Sequence, residues 1–67
     1  MSQRSTRNQI RRSLHGVIDK LELCVAQLQT VDTLSDGRSE VVNEHMPALV
    51  AAIEEIKSVV IDFRDNI

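Results

Sequence analysis

The chain is expected to be all-α: an antiparallel two-helix hairpin, a helical coiled-coil hairpin that forms half of a four-helix bundle or docks in a larger helical assembly. Three observations carry this. Apolar residues recur at alternating spacings of three and four over two long stretches, the period of a helical seam. A short glycine-containing segment with turn chemistry separates the stretches. When the chain is folded back at that segment, the two stripes pair layer by layer.

Residues 1–5 are polar and are expected to form a flexible N-terminus, leaving residues 6–67 as a single helical hairpin. Thr6, followed three residues later by Gln9, resembles a capping box and predicts that helix 1 spans about 6–34. Its stripe reads Ile10, Leu14, Val17, Leu21, Cys24, Leu28 and Val31. Gly16 falls off this stripe and weakens the helix by about 1 kcal/mol relative to alanine. Residues 35–38 carry the turn, with Gly37 suited to the left-handed conformation that ends a helix, and Ser39 suited to cap the next.

Helix 2 is expected over about 39–66, with Glu40 and Glu44 near its positive end. Its stripe reads Val42, Met46, Leu49, Ile53, Ile56, Val60, Phe63 and Ile67. Pro47 conflicts with it locally, because proline removes one helical hydrogen bond and crowds the carbonyl of Asn43. Val42 keeps the heptad register of everything downstream. A continuous helix kinked near Pro47 is therefore favoured over one capped by Asn43.

Residues level with one another on antiparallel helices have position numbers with a constant sum. Pairing 10 with 67, 14 with 63, 17 with 60, 21 with 56, 24 with 53, 28 with 49 and 31 with 46 gives 77 throughout. A register with sums of 73 or 74 is nearly as good. Ile18 and Val25 flank the first stripe, and Val50, Ala52 and Val59 flank the second, making both wider than a two-stranded pairing covers. Leu23, Val41 and Ile61 lie further round.

A 67-residue chain sits in the range where one core seldom suffices for folding. A single cysteine excludes an intramolecular disulfide, and no Cys/His spacing suggests a structural metal. Burial against another chain is the expected remedy, as a homodimer or within a hetero-oligomeric helical complex. There is no continuous apolar leader and no stretch approaching the twenty apolar residues of a membrane span, so no membrane partner is expected. An intracellular location, cytoplasmic or nuclear, follows as an expectation.

Few residues invite chemistry. Cys24 lies on the stripe with no cationic neighbour to activate it, which favours packing over reactivity. Under the sum of 77, His15 stands opposite Asp62 and His45 opposite Asp32, and neither brings a second strong ligand at metal-binding spacing. Glu54 and Glu55 adjoin, so they point in different directions and do not form an acid and base pair. No nucleophile triad, phosphate loop or zinc spacing is present. The chain is read as non-catalytic, with no metal, no cofactor and no small-molecule substrate.

Charge is uneven along the sequence. Residues 1–16 hold Arg4, Arg7, Arg11 and Arg12 with no acid, whereas the remainder holds ten acids against four bases. In either register Arg11 and Arg12 come near Asp62 and Asp65, which predicts intrachain neutralisation; an acidic partner surface is the alternative. In size and layout the hairpin resembles the Rop family, whose members dimerise into four-helix bundles and bind RNA. That resemblance is one of architecture and matches no motif residue by residue, so it carries no function over. Similar hairpins also serve as small subunits of large assemblies and as secretion chaperones.

The leading expectation is a protein interaction or scaffold module whose energetic centre comprises Leu21, Leu28, Leu49, Ile53, Ile56 and Val60. The alternative is an RNA-binding hairpin dimer that uses the four N-terminal arginines, although no aromatic residue accompanies them to stack a base.

Overall fold

A computed structural model describes the backbone from Gln3 to Ile67 and the side chains from Thr6 onward. It shows an all-α helical hairpin of two packed helices, α1 (Gln3–Ser35) and α2 (Glu40–Asp65). Met1 and Ser2 of the expected flexible segment lie outside the described residues, whereas residues 3–5 already belong to α1. Thr6 therefore sits inside the helix and does not cap it, a correction to the start expected at residue 6. The local capping pattern is outweighed by helix formers on both sides of it, including Arg4 and Arg7.

The turn is built from two consecutive left-handed residues, Asp36 (φ 51°) and Gly37 (φ 71°). The Asp36 amide still donates to the carbonyls of Asp32 and Thr33, at 3.1 and 3.2 Å, and the Arg38 amide donates to Ser35 at 2.9 Å, which reverses the chain. Ser39 has left the helical region (φ −99°, ψ 115°), and its hydroxyl accepts from the Val42 amide at 3.2 Å, satisfying one of the free donors at the helix start. Asn43 Nδ2 donates to the Gly37 carbonyl at 3.1 Å, so the first turn of α2 is tied back to the loop. Asn43 thus secures the turn and does not cap a helix. α2 runs through Pro47 without interruption.

The hairpin is a rod. Its radius of gyration is 16.1 Å and its extents are 55 × 16 × 11 Å, against about 11 Å for the radius of a compact domain of this length. Such a shape buries little, and among the described residues Ile18 alone is a buried hydrophobic, at 5% exposure. The half-buried positions reveal how the helices meet. On α1 they include Leu14, Leu21, Val25 and Leu28 on either side of Ile18, and on α2 Met46, Val50, Ile53, Lys57, Val60 and Arg64.

These positions pair at a sum of 78: 14 with 64, 18 with 60, 21 with 57, 25 with 53, 28 with 50. Arg64 indeed reaches His15 across the hairpin. That contact, with a sum of 79, places the register nearer the sum of 77 than 73 or 74. Each helix is also turned by about 50° from the orientation that would place the full stripe between the two helices. Flanking Ile18, Val25 and Val50 enter the contact, while Ile10, Val17, Cys24, Val31, Leu49, Ile56 and Phe63 are exposed.

Candidate interaction surface

Turning the helices has a chemical consequence on α2. Its inward row carries Lys57 and Arg64, whose aliphatic stems lie along the contact while their charged ends reach out. The Lys57 ammonium lies 3.2 Å from Glu54, three residues earlier on the same helix. Arg64 Nε lies 3.3 Å from Asp65. One position before each of these basic residues, Ile56 and Phe63 are about half exposed, at 50% and 54%.

The exposed apolar residues of α2 form a heptad row of their own: Leu49, Ala52, Ile56, Val59 and Phe63, spaced three and four apart. Ala52, Glu55, Ile56, Val59 and Val60 line a shallow, open, mostly apolar hollow along it. On α1, the exposed Ile10, Val17, Cys24 and Val31 repeat every seven residues and so also keep one face. In both helices these positions lie the same rotation away from the inward row. Because the helices are antiparallel, that rotation carries both sets to the same side of the hairpin. One continuous apolar face results, bounded inward by Leu14, Leu21, Leu28, Ile53 and Val60, which are half-buried. Val42 and Met46 are half-buried near the turn end of α2. Leu23 and Val41 are exposed elsewhere, and Ile61 is half-buried.

The remaining candidates separate cleanly. Cys24 is exposed within the hairpin, on the apolar face. His15 does not face Asp62. Its Nδ1 lies 3.5 Å from Arg64 Nη1 and its Nε2 lies 4.0 Å from Asp19 Oδ2. His45, Glu54 and Glu55 are exposed. Among the described residues, no group of three or more His, Cys, Asp and Glu side chains is placed to hold a metal ion, and no helix is long and apolar enough to cross a membrane.

The side chain of Arg4 lies outside the described residues. Arg7, Arg11 and Arg12 are exposed and enter none of the ion pairs among the described residues. The neutralisation expected from Asp62 and Asp65 is not formed. Asp65 is taken by Arg64, and an Asp62 carboxylate oxygen lies 3.4 Å from Asn66 Nδ2, whose stronger bond, at 2.7 Å, goes to the Asp62 carbonyl. Sequence reasoning missed the inward roles of Lys57 and Arg64, since a charge beside an apolar stripe reads as its solvated edge. Comparison with protein-family models, curated proteins and solved structures finds no match to this chain.

Proposed function

We propose that the chain is a non-catalytic interaction module, half of a helical bundle that is completed by further helices. One observation carries the reading: the apolar row Leu49, Ala52, Ile56, Val59 and Phe63 keeps seam spacing while facing away from α1, the one helix that packs on α2 among the described residues. In a four-helix bundle the stripe of each helix points at the bundle axis, between its two neighbours. The rotation of the two helices away from a fully inward stripe supports such an arrangement. Val59→Asp introduces a charge where the hairpin itself leaves 63% of the side chain exposed. It is expected to leave helicity unchanged while abolishing association, measured by sedimentation velocity and by capture of partners from the native source. A wild-type chain that stays monomeric and captures nothing would overturn the reading.

Arg7, Arg11 and Arg12, exposed and without an ion pair among the described residues, support a second reading, an RNA-binding hairpin in which guanidinium groups contact phosphates.

A further inference from the structure

Resting on the reading as an interaction module, we infer that the apolar face is covered by a second copy of this chain, packed face to face and antiparallel. The turn end of each hairpin then lies beside the terminal end of the other.

The amount of exposed surface fits one such partner. The hairpin leaves 5307 Å² accessible, whereas a folded monomer of 7.5 kDa exposes about 4,200 Å². The excess of roughly 1,000 Å² is close to the ~800 Å² that each partner gives up in a stable interface.

Charge then selects the partner and its direction. At the turn end stand Asp32, Asp36, Glu40 and Glu44 against Arg38 alone; at the other end stand Arg7, Arg11, Arg12 and Arg64 against Asp62 and Asp65. A parallel dimer would set arginines beside arginines and carboxylates beside carboxylates. An antiparallel dimer sets each end beside its opposite, and its twofold symmetry does so twice.

The apolar row supports the same arrangement. Its spacing is nearly symmetric about Ile56, so an antiparallel copy with its axis at Ile56 brings Leu49 opposite Phe63 and the small Ala52 opposite Val59 or Val60. With that axis, Arg7 and Arg11 stand at the level of Glu40 and Glu44 of the other copy. The symmetry of the seam and the separation of charge thus share one axis.

The experiment uses the full chain with Cys24→Ser and a spin label on Arg38→Cys in the exposed turn, combining sedimentation equilibrium with electron–electron distance measurement. A dimer whose labels lie about 50 Å apart is expected, from 18 residues of helix on each side of the axis. A dimer with labels closer than about 25 Å overturns the antiparallel arrangement. A monomer that captures a different protein overturns the second copy and leaves the interaction module standing. A monomer that captures nothing overturns both. Arg7→Ala with Arg11→Ala supplies an independent sign: at low salt it weakens an antiparallel dimer by roughly tenfold, through the loss of several exposed ion pairs. Tighter association of that variant overturns the proposal.

Discussion

Replacing Ile18 and Ile56 by alanine, one at a time, separates the contact inside the hairpin from the face outside it. Both changes remove the same three carbons. Ile18 is 5% exposed, so at about 0.8 kcal/mol per buried carbon the transfer loss is about 2.4 kcal/mol. A cavity between only two helices collapses readily, which keeps the further penalty small, and alanine's better helix propensity returns about 0.4 kcal/mol. The net cost is about 2 kcal/mol. A 67-residue chain unfolds with an entropy of about 0.14 kcal/mol/K, so the melting temperature should fall by about 14 °C. Ile56 is half exposed in the hairpin, and the same reasoning gives it a net loss of about 0.8 kcal/mol, or about 6 °C.

The assay is thermal melting followed by circular dichroism over a wide range of protein concentration. The Ile18→Ala deficit should hold across the range, while the Ile56→Ala deficit should grow as association buries the rest of that side chain. An Ile18→Ala variant no less stable than Ile56→Ala at the lowest concentration would refute the assignment of the inward row.

Four further outcomes follow from local geometry and charge. A Cβ on Gly16 meets nothing within 4 Å, so Gly16→Ala should stabilise the chain by about 1 kcal/mol; Gly37 has equal space but a φ of +71°, so Gly37→Ala should destabilise by about 1 kcal/mol, both read from denaturant melts. The Ser35 hydroxyl oxygen is buried without a hydrogen-bond partner, and Ser35→Ala should raise stability by about 1 kcal/mol, with any loss showing that the hydroxyl is satisfied in solution. If the arginines bind RNA, affinity should drop steeply with added salt and disappear when Arg4, Arg7, Arg11 and Arg12 are all alanine; absence of binding at low salt removes that reading.

Much of the hairpin was legible in the residues. The stripes, the turn at Gly37 and the cap at Ser39 are local signals, and Val42 kept its register through Pro47. The start of α1 was misread because Thr6 and Gln9 match a capping pattern that stronger helix formers around them override. The neutralisation of Arg11 and Arg12 was misread because nearness along the rod does not decide which base wins a carboxylate. Arg64 sits next to Asp65 on the same helix and takes it first.

By itself, then, the sequence determined two helices, their antiparallel pairing and a stripe wider than one neighbour covers. Periodicity locates the apolar side of a helix only to within the width of that stripe, and here the width exceeds the contact. Tertiary packing decided which part of it turns inward. Ile18, Val25 and Val50 fill the contact with the stems of Lys57 and Arg64, whose charged ends still reach water, while Ile56 and Phe63 face outward. That choice depends on how side chains of two helices fit together at one level, which no single helix's spacing contains.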